Sequence, residues 1–162
     1  MGNVAVMAVC RGKQGIMKYI KEIDADEFNK ALLDYFDYAT KEDYWEVKGL
    51  FATDNDICYK SVNDNAYYIF QKDYENFAYF AKVKGSLQTI NGLWEVFYDL
   101  VCKGNPFIRI MGKEKRYPKI LKGFTNFVEL EMTLKGQQQF VWYAGHPDNI
   151  EKIKKRIARN SN

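Results

Sequence analysis

The chain has 162 residues, 47% of them hydrophobic and 28% charged, with a formal net charge of +3. That is room for one domain with a real core and too little for two. Twelve Tyr and eleven Phe against only three Pro and eleven Gly exclude disorder, collagen-like repeats and low complexity.

At the N-terminus, Val4 to Val9 is apolar but short, no basic segment precedes it, and Arg11, Gly12 and Lys13 follow at once. The run reads as neither a secretory signal nor a membrane span. Val6 stands where a myristoylation signal wants Ser or Thr. Residues 1–16 are therefore expected to be an extension, with the domain starting at Met17. Lys18 to Ile23 predicts a short strand. Asp24 caps a following helix, with Glu27 completing a capping box. Phe28, Leu32, Tyr35, Phe36 and Ala39 line its apolar face. Thr40 offers a second cap, and Asp43 to Lys48 a short second helix ended by Gly49. Asp54-Asn55-Asp56 is turn chemistry.

A strand-rich stretch comes next. Ile57 to Val62 and Ala66 to Gln71 flank Asn63-Asp64-Asn65, residues that tolerate left-handed backbone angles at a hairpin tip. Lys72 to Glu75 turns the chain into a third strand, Asn76 to Lys84, which Gly85 breaks. Leu87 to Lys103 is the clearest helix, with Leu87, Ile90, Leu93, Trp94, Phe97, Tyr98 and Val101 at spacings of three and four and Gly104 closing it. Phe107 to Met111 reads as a buried strand, and Lys113 to Lys122 as a short basic helix entered near Pro118 and capped by Gly123. Asn126 to Leu134 and Gln137 to Ala144 form a hairpin around Lys135-Gly136, with Val128 and Leu130 on one face and Phe127, Glu129 and Glu131 on the other. Asp148 then caps a last helix carrying Ile150, Ile153 and Ile157. The fold class is α+β: a mixed, mostly antiparallel sheet flanked by helices. The expected divisions are 1–16, 17–147 and 148–162.

Over residues 17–145 this order resembles the GNAT (Gcn5-related N-acetyltransferase) superfamily. The best local match is Tyr117 to Phe124, YPKILKGF, which is similar to the family's short helix ending Leu-Tyr-x-Lys-x-Gly-Phe. Gly123 and Phe124 fit the closing pair. The resemblance implies acyl-CoA as cofactor, its pantetheine inserted between two parallel strands that splay apart, and its pyrophosphate at the start of the long helix. There the free N–H groups and the helix dipole favour anions. The implied cofactor residues are Lys82, Lys84, Gly85 and Ser86. The family's loop reads Gln/Arg-x-x-Gly-x-Gly/Ala, and of Lys82-Val83-Lys84-Gly85-Ser86-Leu87 only Gly85 matches. Lys119 occupies the family's tyrosine position, so Tyr117, two residues earlier, is the candidate acid for the leaving thiolate. The overall look is also similar to small acetyltransferase-like proteins of bacteriophages. Some of those are enzymes and others travel with virions, which implies host cytoplasm or virion as the location.

Other constellations point to less. One histidine, His146, and few serines give a hydrolase triad little to work with, and His146-Pro147 suits a cap between the last strand and helix. Cys10, Cys58 and Cys102 form no CxxC pair and His146 has no ligand-type neighbour at metal spacing, so no metal site and reduced thiols are expected. Glu129 and Glu131 share a strand face roughly 7 Å apart, as paired carboxylates or as a solvated face. Charge is uneven: residues 1–81 hold 9 Lys+Arg against 14 Asp+Glu, and residues 82–162 hold 15 against 7. Nucleic-acid binding is the weakest reading of that asymmetry, since no recognition motif accompanies the aromatics. Lys154, Lys155 and Arg156 lie beside the stripe Ile150, Ile153 and Ile157, which must bury against this domain or another chain. The last helix is thus the expected contact for a protein partner or virion assembly. Two readings follow: an acyl-CoA-dependent N-acyltransferase, or a non-catalytic interaction protein. Neither involves a membrane.

Overall fold

The structure, a computed structural model, describes residues 17–36, 49–63, 66–81, 87–112, 121–131 and 138–160. Seven strands make one sheet: β1 (Ile20–Ile23), β2 (Ile57–Ser61), β3 (Ala66–Gln71), β4 (Asn76–Ala81), β5 (Phe107–Gly112), β6 (Phe127–Leu130) and β7 (Gln138–Tyr143). Their order is β1-β2-β3-β4-β5-β7-β6. Every neighbouring pair is antiparallel except β4 and β5, which are parallel. Among the described residues the α-helices are α1 (Ala25–Phe36), α2 (Leu87–Cys102) and α3 (Pro147–Asn160). The α+β class and mostly antiparallel sheet expected from the sequence are therefore present.

Local chemistry sets the boundaries. The Glu27 N–H donates to Asp24 Oδ1 at 2.8 Å, the cap that opens α1. Gly104, at φ +92°, closes α2 in the left-handed conformation open to glycine. Between β3 and β4 the chain makes a 3-10 turn, Lys72–Tyr74, and leaves it through Glu75 at φ 52°. The second expected helix (43–48), the hairpin tips 64–65 and 132–137, and most of the basic helix 113–122 lie outside the described residues.

Strand alternation sorts side chains onto two faces. On one face Tyr59, Tyr68, Phe70, Phe77, Ile108, Ile110 and Trp142 pack beneath α2 and α3. On the other, Cys58, Tyr67, Ile69 and Phe80 pack against Phe28, Ala31 and Leu32 of α1. α2 is covered on two sides, by the sheet and by α3. Val96 and Leu100, outside the expected stripe, are consequently buried, whereas Ile90 inside it is 43% exposed.

The C-terminal helix is part of this core. Ile150, Ile153 and Ile157 are buried in the same cluster as Trp94, Phe97 and Val101 of α2. Each buried isoleucine contributes roughly 1.5–3 kcal/mol. Asn149, fully buried, donates to the carbonyls of Thr125 and Tyr143, both at 2.8 Å, and accepts from the Thr125 N–H at 3.0 Å. It ties the entry to β6 to the end of β7. The helix also starts earlier than expected. His146 is its cap, with Nδ1 accepting from the Asp148 N–H at 3.2 Å, Pro147 opens the first turn, and Asp148 lies inside it.

Candidate functional site

The feature that sets this sheet apart is its centre. β4 and β5 share two register positions, Asn76↔Arg109 and Phe77↔Ile110. The Arg109 N–H donates to the Glu75 carbonyl at 2.6 Å. By alternation Glu75, Phe77, Tyr79 and Ala81 then turn their backbone polar groups toward β5. The ladder stops after Phe77, and the Tyr79 N–H is the first donor left facing the gap. β4 stays with β3 as far as Ala66↔Ala81, and β5 stays with β7 as far as Gly112↔Gln138. The sheet therefore opens between two intact halves.

The chain leaving β4 returns as α2, so the helix N-terminus belongs to the open end of the gap. Its first turn is pinned to the sheet. Tyr68, on β3, donates its phenol proton to the Thr89 carbonyl at 3.0 Å. Gly92 makes that approach possible, since a Cβ there would sit 2.5 Å from the Tyr68 oxygen and 3.0 Å from Ile20 Cγ2. Burial, and then the neighbouring Tyr79 and Glu95, push the Tyr68 pKa up and keep the phenol protonated. Thr89 Oγ1 is buried in the same turn and makes no hydrogen bond. Half-buried Tyr79 has its ring 6.1 Å from that of Tyr68 and 6.3 Å from that of Phe77. The arrangement offers an extended ligand the backbone N–H groups of Tyr79 and Ala81 in the gap. At its end stands a sixteen-residue helix whose N-terminus favours negative charge.

Lys82, Lys84, Gly85 and Ser86, the expected pyrophosphate residues, lie outside the described residues, as does Tyr117, the expected acid. Tyr79 and Thr89 were not legible as site residues. Their placement depends on where the β4–β5 ladder ends, and apolar alternation carries no mark of that.

The expected partner residues are placed and require a correction. Ile150, Ile153 and Ile157 face this domain's own core, because α3 is the element that covers α2. Arg156 is likewise engaged: its guanidinium lies 4.4 Å from the Trp94 ring centroid and 4.7 Å from that of Phe124, and it donates to the Lys122 carbonyl at 3.2 Å. Burial holds its pKa below the usual arginine value. Lys152 donates to the Gly123 carbonyl. Lys154 is 3.9 Å from Glu151 on the same helix, and Lys155 is exposed. The stripe and Arg156 fasten the helix inward; Lys154 and Lys155 remain on its outer side.

A second polar cluster lies at the other end of α2. The Tyr59 hydroxyl donates to Asp99 Oδ2 at 2.5 Å, Lys103 lies 3.1 Å from the same oxygen, and Lys103 also pairs with Glu22. Its members satisfy one another across β1, β2 and α2, which is the pattern of a structural lock. Cys58 is a free thiol whose pKa burial pushes up to about 12, too high for a nucleophile. Cys102 is disulfide-bonded, against the expectation of reduced thiols; Cys10 lies outside the described residues. Among the described residues no group of His, Cys, Asp or Glu could hold a metal ion, and no helix is long and apolar enough to cross a membrane.

The chain matches no protein-family model, and the comparisons found no curated protein and no solved structure similar to it.

Proposed function

We propose that the chain is a GNAT-like acyl-CoA-binding protein and that its activity is transfer of the acyl group to an amine. The observation that supports this most is the parallel β4–β5 pair that opens after Phe77, with α2 beginning at the open end. In this reading the pantetheine chain lies along β4 and the thioester oxygen accepts from the Tyr79 N–H. That donor would strengthen its bond as the carbonyl becomes an oxyanion under attack by the amine. The pyrophosphate meets the turn at Lys82, Lys84, Gly85 and Ser86, with the Thr89 hydroxyl in the first helical turn behind it. Tyr117 returns a proton to the departing thiolate. The accompanying location is cytoplasm, or virion if the chain is phage-encoded.

The alternative of a non-catalytic partner-binding or virion protein loses its main support, since the stripe that motivated it is buried in this domain. Isothermal titration of acetyl-CoA and of CoA into the purified chain separates the two readings. The expected result is micromolar binding of both, lost in Gly85→Glu, where a carboxylate side chain repels the pyrophosphate. No heat at millimolar ligand would overturn the proposal.

A further inference from the structure

β6 is a second region with unmet bonding capacity, separated from the β4–β5 gap by β5 and β7. Within the described residues it is the last strand of the sheet, paired with β7 alone. The Tyr143 N–H donates to the Asn126 carbonyl at 2.8 Å. That bond fixes the parity of the ladder: Val128 and Leu130 turn their backbone groups to β7, whereas Phe127 and Glu129 turn theirs outward. Among the described residues no further strand pairs with β6. Val128 is 62% exposed, Phe127 is 42% exposed, and Glu129 is exposed. Phe127–Leu130 contains no proline, no lysine and no bulge, and its one charged residue is Glu129.

We propose that β6 is a docking edge for an extended polypeptide strand in which basic and apolar residues alternate. A strand hydrogen-bonded to Phe127 and Glu129 would face Glu129 and Glu131 on one side of the sheet and Val128 and Leu130 on the other. Both glutamates are exposed, and neither pairs with a cation among the described residues. Lysine or arginine opposite them is therefore favoured. Apolar side chains opposite Val128 would extend the strip in which half-buried Val141 lies beside exposed Val128. A second copy of this chain is a poorer occupant. Antiparallel pairing of two β6 strands sets the two Glu129 carboxylates opposite or diagonal to each other, and like charges so placed destabilise a pair.

The test is fluorescence anisotropy with two labelled ten-residue peptides, one alternating lysine and valine and the other glutamate and valine, titrated into the full chain. The lysine peptide is expected to bind at micromolar concentration and the glutamate peptide at least tenfold more weakly. Glu129→Pro removes an outward N–H while sparing the bonds to β7, and is expected to cut lysine-peptide binding at least tenfold. The double variant Glu129→Lys, Glu131→Lys is expected to reverse the preference without touching the backbone. Equal binding of the two peptides, or full lysine-peptide binding by the charge-reversed double variant, overturns the proposal. So does a dimer in sedimentation that Glu129→Pro dissolves while the lysine peptide fails to bind; that result assigns the edge to a second copy. A failure of acyl-CoA to bind bears on the gap at β4–β5 and leaves this edge as it stands.

Discussion

The sheet ends in two strands of four residues each, and the chain treats their open sides differently. At the entry to β1, the buried Glu95 carboxylate of α2 accepts the N–H groups of Lys18 and Tyr19, both at 2.8 Å, and draws on that of Ile20, the first residue of the strand. Lys21 and Glu22 add charge to the strand, and Glu22 is held by Lys103. At β6 the outward N–H groups of Phe127 and Glu129 meet no side chain among the described residues, and Phe127, Val128 and Glu129 are all exposed. Closing an edge here takes a carboxylate buried at an electrostatic cost. An edge left open within the same sheet is thus a surface on which another strand can form.

The largest expected effect breaks the closed edge. Glu95→Leu takes the charged acceptor from at least two backbone donors, those of Lys18 and Tyr19, and should lower stability by about 3 kcal/mol in urea denaturation. Glu95→Gln keeps an acceptor oxygen and should cost about 1 kcal/mol. Equal losses for the two variants would mean that Glu95 acts there through its charge rather than as an acceptor. One turn earlier, Gly92→Ala drives a methyl group against the Tyr68 oxygen and should cost about 2 kcal/mol. Adding Tyr68→Phe should recover a good part of that loss, which a thermodynamic cycle measures directly.

At the open edge, position decides the outcome. Val128→Pro removes a donor to β7 and should cost about 2 kcal/mol, whereas Glu129→Pro removes a donor that bonds nothing and should cost under about 1 kcal/mol. Comparable losses would show that β6 has an outward partner. The smallest effect is on pH dependence. Burial raises the Glu95 pKa even against its backbone hydrogen bonds, so the folded chain holds this proton more tightly than the unfolded one. Its contribution to stability is therefore largest below the usual carboxylate pKa and declines as pH rises through the raised value. Glu95→Gln should flatten that part of the stability–pH curve.

Much of this architecture was legible because it rests on local signals. Asp24 and Glu27 announced α1, Gly104 closed α2, and the alternation of apolar residues placed the strands of both hairpins. What escaped was whatever depends on the other side of a contact. The repeat Ile150, Ile153, Ile157 establishes a face to be covered but does not name the cover, which is α2 of the same chain. The alternation along β6 suggests one wet face and one dry face, yet Phe127, Val128 and Glu129 are all exposed, because the strand is terminal. The gap at β4–β5 escaped for a related reason: Phe77 and Tyr79 look alike in sequence, and the ladder ends between them.

α3 has a consequence for the order of events on the ribosome. Translation delivers Trp94, Phe97 and Phe124 well before Ile150, Ile153 and Ile157, and it delivers Thr125 before the Asn149 that holds it. Until the last helix emerges, one side of α2 and the Trp94–Phe124 stack, with ring centroids 5.4 Å apart in the finished fold, stay wet. The nascent chain is then a sheet with half its lid missing, and it closes only when synthesis reaches α3. Ribosome-stalled chains ending before and after residues 147–160 should therefore differ sharply in protease resistance across α2, with little gained by shorter extensions.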